Sequence, residues 1–511
     1  MVVGEIFGRN ARRWPDKEGV IYKGTRLTFR ELNDRVNRLT NALLGLGLEK
    51  QDRVAIIADN CHPFIEAIGA CAKGGFILAS LSTKLQDELT HIVKNAQPKA
   101  VILSPNYLGK IRPEWGFVKS IISLGDAPKG ILQYEDLLAG SSGDEPQVKV
   151  EEEDVLLLYY TSGTTSLPKG AALTHKAILA NVVNMVITRN IVRGDKTMVV
   201  HPLFFTAPIN CTVIPMLYLG CPVVVLDGFD PQNFLATVEK EKITHVIVVP
   251  TMLIRLLEYP DLKKYNVSSL KQVIYGSASM PVARLKEAIQ RFGPIFSQIY
   301  GLTETVSEAT CLWTGEHVID GSSEVVRRLG SCGRETINCH VRVVRPDGTD
   351  VARDGQEVGE IIIKGDVLMK GYWNMPEVTA ETIRDGWLYS SDLATMDSDG
   401  YIYIVDRKKD MIISGGINIY PREIEEVLYK HPAIYEAAVI GIPDEEWGEK
   451  VTAVIVPKEG QKVTEEEIIE YLRERLATYK KPKSVIFTNV LPKTPTGKIL
   501  KRELRIRFTP R

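Results

Sequence analysis

The feature that most constrains the fold is an alternation of short apolar, β-rich runs with helical patterns along the first 330 residues. Strands that are apolar throughout and alternate with helices form parallel sheets covered on both faces. A capping box at Thr28 and Glu31, followed by apolar residues at helical spacing, indicates one of these helices. The sequence therefore predicts an α/β fold, whose apolar runs occupy residues 53–58, 100–103, 155–160, 223–226 and 244–249.

The pattern of secondary-structure signals changes twice in the second half of the sequence. From about Cys339, turn signals such as Asp354-Gly355 separate β-rich segments and predict a smaller β-unit that closes the large domain. A charged run at 406–410 is followed by a compact α+β pattern of about 100 residues, which suits an independent domain. We expect a large domain over 1–405, a hinge at 406–410 and a small domain over 411–511. The 511 residues support this division, since one core stops growing near about 250–300 residues.

Composition excludes several classes of protein. The formal net charge of −1 lacks the basic excess of a general nucleic-acid binder. The seven cysteines are an odd number without a CxxC pair, which favours a reducing compartment over a disulfide framework. Glu5 and Arg9 interrupt the stretch that could serve as a signal peptide. We therefore expect a cytoplasmic protein that binds no nucleic acid.

Residues 197–226 contain no Asp, Glu, Lys or Arg and are long enough for a membrane span. Prolines recur through the segment and would break the helical hydrogen bonding that lipid demands. The segment is predicted to be a buried helix–strand pair; its prolines are Pro202, Pro208, Pro215 and Pro222.

A loop rich in hydroxyl and glycine residues follows the apolar run at 155–160. Residues 160–170 read YTSGTTSLPKG, and a helical pattern comes after them. Backbone N–H groups in such a loop can converge on an anion, and Lys169 adds a positive charge. Pro168 stands where a Walker A loop has its second glycine. The residues alone favour a phosphate-binding loop, with an ordinary surface loop as the alternative.

The segment 300–305 reads YGLTET after a β-like run at 295–299. Glu304 could hold a divalent metal, since Mg²⁺ on nucleotide phosphates takes only one or two carboxylates. Taken alone, the segment fits a surface turn capped by a threonine better than a metal site.

Later blocks give these two motifs a context. They occupy residues 386–392, 399–401, 406–410, 414–425 and 492–498. With the two earlier motifs, in this order, the chain resembles the adenylate-forming superfamily of acyl- and aryl-CoA synthetases, firefly luciferase and peptide-synthetase adenylation domains. The resemblance extends from about residue 5 to residue 505, and residues 415–425 look most like bacterial and archaeal acyl-CoA synthetases.

This resemblance implies a fold and an activity. The fold has two parallel-type α/β subdomains and a small β-barrel-like unit, followed by a mobile α+β lid. The activity is that of an AMP-forming acid–thiol ligase, with Mg²⁺ as cofactor and ATP and CoA as co-substrates. A carboxylate attacks the α-phosphate of Mg·ATP to give an acyl-adenylate and pyrophosphate, and the thiol of CoA then displaces AMP.

The resemblance also assigns roles to residues. Thr303 contacts the α-phosphate, Glu304 and Thr161 bind the metal, and Lys498 bridges the substrate carboxylate and the α-phosphate. The small domain rotates at Lys409, after which Gly415 and Gly416 line the tunnel for CoA. The ATP contacts are Thr161, Ser162, Gly163, Thr164, Thr165 and Lys169 at the triphosphate, Gly276, Ser277, Ala278, Tyr300 and Gly301 near the adenine, and Asp392 and Arg407 at the ribose.

The sequence departs from the superfamily pattern at four positions. Ser166 replaces a glycine of the loop, and Ser391 replaces the glycine of the usual Thr-Gly-Asp ribose motif. Phe205 stands where a histidine commonly lines the carboxylate pocket, and Ser279 where proline is frequent. None of these changes removes a charged catalytic group, so the chain is expected to be active.

The residues expected to line the acyl pocket are mostly apolar or aromatic, which favours a hydrophobic monocarboxylic acid, fatty or aryl, over amino acids and dicarboxylates. Two other functions stay open: an adenylating enzyme that loads a carrier protein, and a nucleotide-binding regulatory protein without turnover. A peripheral membrane contact and a homodimer are both compatible with this interpretation. The pocket candidates are Phe204, Phe205, Ile209, Tyr275, Ile299 and Val306.

Overall fold

The structure is a computed structural model that describes residues 1–85, 87–161, 168–493 and 499–509. Its strands are β1 (Glu18–Tyr22), β2 (Thr25–Thr28), β3 (Arg53–Ile57), β4 (Ile77–Ser80), β5 (Ala100–Leu103), β6 (Ser120–Ser123), β7 (Leu132–Gln133), β8 (Val155–Thr161), β9 (Lys169–Thr174), β10 (Thr197–Val199), β11 (Val223–Val225), β12 (His245–Val248), β13 (Gln272–Gly276), β14 (Phe296–Tyr300), β15 (Thr310–Leu312), β16 (Arg334–Glu335), β17 (Cys339–Val344), β18 (Gly359–Gly365), β19 (Gly371–Tyr372), β20 (Ile383–Arg384), β21 (Trp387–Met396), β22 (Ile402–Arg407), β23 (Ile412–Ser414), β24 (Ile417–Ile419), β25 (Ile434–Asp444), β26 (Gly448–Pro457) and β27 (Ser484–Phe487).

The α-helices lie between these strands. They are α1 (Glu5–Arg13), α2 (Phe29–Gly45), α3 (His62–Gly74), α4 (Asp87–Ala96), α5 (Tyr134–Ala139), α6 (His175–Thr188), α7 (Ile214–Tyr218), α8 (Pro231–Glu241), α9 (Pro250–Leu257), α10 (Val282–Phe292), α11 (Ser323–Arg327), α12 (Pro376–Thr382), α13 (Pro421–Leu428), α14 (Glu465–Arg473) and α15 (Lys501–Phe508).

Two large, mainly parallel sheets form the body of the protein. One has the order β16-β15-β14-β13-β12-β10-β11-β1-β2, with antiparallel strands only at its edges. The other has the order β19-β9-β8-β4-β3-β5-β6-β7, with β9 and β19 antiparallel to their neighbours. The predicted pair of parallel-type α/β subdomains is therefore confirmed.

Two smaller sheets follow in the chain. Strands β17, β18, β20, β21 and β22 form an antiparallel sheet beside the large body. Strands β23 to β27 form a sheet of their own with α13 and α14, around a separate apolar core. This second sheet belongs to the small carboxy-terminal α+β domain that the sequence predicts.

Local sequence explains where several elements begin. The Thr28 hydroxyl accepts from the Glu31 backbone N–H at 3.2 Å, and the Glu31 carboxylate accepts from the Thr28 N–H at 2.8 Å, so α2 starts with the predicted capping box. The same reciprocal bonds at Thr464 and Glu467 start α14. That helix ends at Arg473.

The uncharged segment 197–226 folds as β10, a π-helical turn (Pro208–Val213), α7 and β11. The predicted buried helix–strand arrangement is confirmed. In the described part of the chain, every helix is too short or too polar to cross a bilayer.

One asparagine joins the two large sheets. Asn60, just after β3, donates from Nδ2 to the carbonyl oxygens of His201 and Leu226, at 2.9 and 2.8 Å. Its Oδ1 accepts from the Leu203 N–H at 2.7 Å. Three main-chain groups that follow β10 and β11 are therefore fixed to the end of β3 by a single buried side chain.

Candidate active site

The predicted phosphate loop connects the two strands of a β-hairpin. Thr161 at the end of β8 pairs directly with Lys169 at the start of β9. The predicted contacts Ser162, Gly163, Thr164 and Thr165, and the departure Ser166, lie outside the described residues. The predicted strand before the loop and helix after it are both observed as β8 and α6, but residues 169–174 form an additional strand before α6 begins. The hairpin brings Thr161 and Lys169 to the same end of the sheet.

Tyr372 links Lys169 to the predicted metal ligand. Its hydroxyl donates to Oε1 of Glu304 at 2.7 Å, and the Lys169 ammonium lies 5.2 Å from the centroid of its ring. Burial, reinforced by the Glu304 charge, raises the pKa of Tyr372, so the phenol remains a donor. The Glu304 backbone is fixed as well, since its carbonyl accepts from the Met369 N–H at 2.8 Å.

Sequence reasoning missed Tyr372. It reaches Glu304 because β19 pairs with β9, with Tyr372 opposite Ala171. That pairing joins segments about 200 residues apart, and no local pattern distinguishes Tyr372 from the other tyrosines of the chain.

Tyr300, Asp392 and Arg407 come together as the resemblance implied for the nucleotide. The Tyr300 hydroxyl donates to Oδ2 of Asp392 at 2.8 Å, and Nε of Arg407 lies 3.2 Å from Oδ1. Asp392 and Arg407 are opposite each other in the β21–β22 pair. Burial raises the pKa of Tyr300 well above its usual range, so its hydroxyl also stays protonated. Asp392 is 5% exposed and thus has a fixed orientation.

Two glycines permit close backbone approach at the ends of β13 and β14. A Cβ on Gly276 would lie 2.7 Å from the carbonyl oxygen of Ile299, and one on Gly301 would lie 2.2 Å from that of Ser307. The strands are parallel neighbours, so Gly276, Ser277 and Ala278 lie beside Tyr300 and Gly301 at their carboxyl ends. Ligands bind at this edge in open α/β sheets. Thr303 and Glu304 follow in a short 3₁₀ turn.

Five of the six pocket candidates lie in or against two apolar clusters. Phe204, Ile209 and Val306 belong to one apolar core with Phe205 packed against it, and the Phe204 and Phe205 ring centroids are 4.7 Å apart. Ile299 belongs to a small neighbouring cluster, which also contains Met185, Cys211, Ile247, Ile274 and Cys311.

The structure corrects the assignment of Tyr275 to the pocket. Neighbouring residues of a strand point to opposite faces. Ile274 packs with Ile299, whereas Tyr275 packs on the other face and its hydroxyl lies 3.0 Å from Nε2 of His317. Tyr275 is thus part of the core behind the sheet.

In the small domain, Gly415 and Gly416 form a two-residue hairpin turn between β23 and β24. Their φ angles are +58° and +78°, which a glycine adopts without strain. Both are exposed, and a Cβ on Gly416 would meet open space. Lys409 lies in the turn after β22, where burial and then the Arg407 charge lower its pKa. Lys498 lies outside the described residues.

The donor set suits Mg²⁺ held mainly by nucleotide phosphates. Tyr372 donates to one oxygen of Glu304, and this bond orients the carboxylate. Among the described residues, His, Cys, Asp and Glu side chains form no group of three that could hold a metal by themselves. One carboxylate with phosphates and water is what Mg²⁺ prefers.

Comparison with known proteins agrees with this geometry. The family model described as AMP-binding enzyme matches residues 7–373, and that described as AMP-binding enzyme C-terminal domain matches residues 423–498. A feruloyl-CoA synthase of Amycolatopsis sp is 39% identical over 501 residues, 98% of each chain. A long-chain-fatty-acid–CoA ligase of Bacillus subtilis (strain 168) is 35% identical and covers 98% of this chain and 93% of its own. The crystal structure of ATP-bound MatB from Rhodopseudomonas palustris superposes with a TM-score of 0.90 at 30% identity, covering 99% of both chains.

Fold and site together define an adenylate-forming enzyme. The chain belongs to the AMP-binding enzyme family. Within that family it is an AMP-forming acid–thiol ligase, an acyl-CoA synthetase that uses Mg²⁺·ATP and CoA.

Proposed function

We propose that the protein activates a hydrophobic monocarboxylic acid, fatty or aryl, and transfers the acyl group to CoA. The observation that carries this proposal is the apolar group Phe204, Phe205 and Ile209, which belongs to the same core as Val306, only two residues beyond Glu304. The relatives reported above are named for one aryl acid and one class of fatty acid, and both are hydrophobic monocarboxylates.

In the first step, a carboxylate oxygen of the acid attacks the α-phosphorus of ATP, and pyrophosphate leaves. Asp392 accepts from the ribose hydroxyls, because carboxylate oxygens facing a diol can take both hydrogen bonds. Thr303 contacts the α-phosphate, while Lys169 and the 162–165 loop hold the outer phosphates. Lys498 offsets the negative charge that develops in the transition state. When bound at Glu304 and Thr161, Mg²⁺ supplies electrostatic stabilisation of the phosphates.

In the second step, the sulfur of CoA attacks the acyl carbonyl carbon and AMP leaves. We propose that the chain divides into a large domain over 1–405, a hinge at 406–410 and a lid over 411–511. Rotation at Lys409 withdraws Lys498 and brings Gly415 and Gly416 to the thiol path. The separate sheet and core of the carboxy-terminal domain support this motion, because a domain with its own core can move as a body.

The test is a coupled assay of AMP production with a panel of fatty and aromatic acids. We expect AMP and acyl-CoA in equal amounts with at least one hydrophobic acid. Release of pyrophosphate without thioester until a phosphopantetheinylated carrier is added would indicate the carrier-loading alternative. ATP binding without pyrophosphate release would indicate a regulatory protein.

We propose that the protein is cytoplasmic. The seven cysteines are all unpaired, and six of them are buried, which supports a cytoplasmic protein. Light scattering tests whether the protein forms a homodimer, and vesicle co-sedimentation tests whether it makes a peripheral membrane contact.

A further inference from the structure

A short segment of the chain connects the proposed metal ligand to the hairpin of the phosphate loop. The Met369 N–H donates to the carbonyl of Glu304 at 2.8 Å, and the Trp373 N–H donates to the carbonyl of Gly170 at 2.7 Å. Glu304 follows β14 in one of the two large sheets, whereas Gly170 belongs to β9 in the other. Residues 369–373, here called the bridging segment, therefore join the two sheets at the site.

Tyr372 is the side chain of the bridging segment that contacts both partners. Its hydroxyl donates to Oε1 of Glu304 at 2.7 Å, and the Lys169 ammonium lies 5.2 Å from the centroid of its ring. The first contact is a charge-assisted hydrogen bond to a carboxylate, and the second is a cation–π interaction. One side chain thus contacts the proposed metal ligand and a proposed triphosphate contact through two chemically different groups.

The backbone of Tyr372 is fixed from two directions. Strand β19 pairs with β9, with Tyr372 opposite Ala171. From α12, the Thr379 hydroxyl accepts from the Tyr372 N–H at 2.9 Å. A Cβ on Gly371 would lie 2.8 Å from Cγ2 of Thr379, so the glycine permits this close approach of the helix. Because both contacts come from regular elements, Tyr372 presents its hydroxyl and its ring at defined positions.

The two contacts have different consequences for a bound nucleotide. Mg²⁺ demands near-ideal octahedral geometry, so the orientation of a carboxylate ligand affects how tightly the ion is held. Removing an outer partner of a metal ligand typically lowers metal affinity by about 10–100-fold. The ring contact acts instead on a cation that meets the phosphates, and losing such a contact changes affinity by about 2–5-fold.

We propose that Tyr372 is a positioning residue that couples the metal site to the triphosphate site. Its hydroxyl orients Glu304 toward Mg²⁺, and its ring holds the Lys169 ammonium in place for the phosphates. This inference rests on the proposed function and adds a residue to the same site. The two roles can be separated, because phenylalanine keeps the ring without the hydroxyl, whereas leucine lacks both.

The test measures the Kd for ATP by equilibrium dialysis without any acid, once with saturating Mg²⁺ and once with EDTA. Tyr372→Phe should weaken ATP binding in Mg²⁺ by about 10-fold or more and leave the Kd in EDTA within about 2-fold. Tyr372→Leu should weaken binding in EDTA as well, by about 3-fold. A purely structural role of the tyrosine would weaken binding equally in both conditions.

Tyr403→Phe is the matched control. The Tyr403 hydroxyl also donates to a carboxylate, Oδ2 of Asp397 at 2.9 Å, and its ring also carries a cation, with Cζ of Arg327 at 4.7 Å from the centroid. These residues belong to the small antiparallel unit and have no proposed contact with the nucleotide. Tyr403→Phe should therefore leave both Kd values unchanged.

A double-mutant cycle identifies the group through which the hydroxyl acts. Tyr372→Phe should add little to the effect of Glu304→Gln on Mg²⁺-dependent binding, because both substitutions disturb the same contact. Full additivity would overturn the inference. So would an equal loss of affinity in Mg²⁺ and in EDTA for Tyr372→Phe, or Kd values of that variant equal to those of Tyr403→Phe. If Tyr372→Leu does not fold, Tyr372→Phe and the cycle decide the matter.

Failure of the inference is distinct from failure of the proposed function. Unchanged Kd values in Tyr372→Phe, in an enzyme that forms AMP and acyl-CoA, overturn only the positioning role. An absence of AMP with every acid overturns the proposed function, while the binding comparison needs no acid and still decides the role of Tyr372.

Discussion

At the scale of single residues, the nucleotide side chains hold one another in place. Asp392 accepts from Tyr300 through one oxygen and contacts Arg407 through the other. Ser391, the residue before it, has a φ of +61°, the left-handed region that a glycine adopts most easily. This explains why the superfamily usually has glycine there. It also shows that serine is tolerated at that φ, at a cost of about 1–2 kcal/mol.

Asp392→Asn should raise the KM for ATP by about 10-fold or more, because it removes the charge that pairs with Arg407 and replaces an acceptor with a donor. Initial rates at varied ATP concentration measure the change. Asp350→Asn is the control, since Asp350 forms an exposed ion pair with Arg342 in the same small unit. Equal KM values in the two variants would contradict the ribose assignment.

The buried acid Glu308 gives a prediction on stability. Its pKa is raised from 4.5 to about 7 in the folded protein, so the folded state binds the proton more tightly than the unfolded state. Its contribution is fully present below pH 4.5 and is lost as the pH rises through 7. Relative to Glu308→Gln, the unaltered protein should therefore lose about 3 kcal/mol of unfolding free energy between pH 4.5 and 7.

Denaturant unfolding of both proteins at pH 5 and pH 8 measures this difference. Three buried histidines, whose pKa values burial lowers to about 4, titrate in both proteins and cancel in the comparison. A difference that does not change with pH would mean that Glu308 has an ordinary pKa.

At the scale of elements, the sequence predicted strands and helices best where the signal was local. The apolar run at 100–103 matches β5, and the capping box starts α2. Strand β9 escaped prediction because Gly170, Ala171 and Ala172 have low strand propensity, and it is held by pairing with distant segments. Tyr275 was misplaced for a simpler reason, since the alternation of strand faces separates it from Ile299.

The Gly415–Gly416 turn allows the proposed CoA tunnel to be tested against a control variant that has the same backbone strain. Gly416→Leu should abolish thioester formation while adenylate formation continues, because the new side chain would block the path of the thiol. Gly460→Leu is the matched control: its φ is +75° against +78°, and it too faces open space in the small domain. Both variants should lose about 1–2 kcal/mol of stability from left-handed strain.

Separate assays of pyrophosphate exchange and of CoA-dependent release from supplied acyl-adenylate measure the two steps. Normal thioester formation in Gly416→Leu, or equal loss in Gly460→Leu, would show that the turn does not line the tunnel.

At the scale of the whole molecule, the small domain meets the large one around the end of β22. Arg422 donates from its backbone N–H to Asp406 at 3.0 Å and from Nη1 to the Ile404 carbonyl at 2.6 Å. Arg505 of α15 pairs with Asp410 at 3.0 Å. These polar contacts surround Lys409, so a rotation there exchanges hydrogen bonds and ion pairs without uncovering a large apolar core.

Lys498→Ala should reduce the rate of adenylate formation by at least about 100-fold. It should spare thioester formation from supplied acyl-adenylate, because the charge acts only in the first transition state. Lys493→Ala is the control, since Lys493 of the same tail pairs with Glu436 instead. The two half-reactions are measured as for Gly416→Leu. Equal loss in both steps would contradict the rotation, as would a Lys493→Ala variant with the same defect.

The three hydrogen bonds by which Asn60 joins the two large sheets have a consequence for how such an enzyme can evolve. These bonds join the ends of β3, β10 and β11, and the two large sheets also share one apolar core, so the large body can keep its shape while the lid moves. The rate of lid rotation and the rigidity of the nucleotide site then depend on different parts of the chain. Adaptation to heat or to a new acid can change one of them while the other is inherited intact.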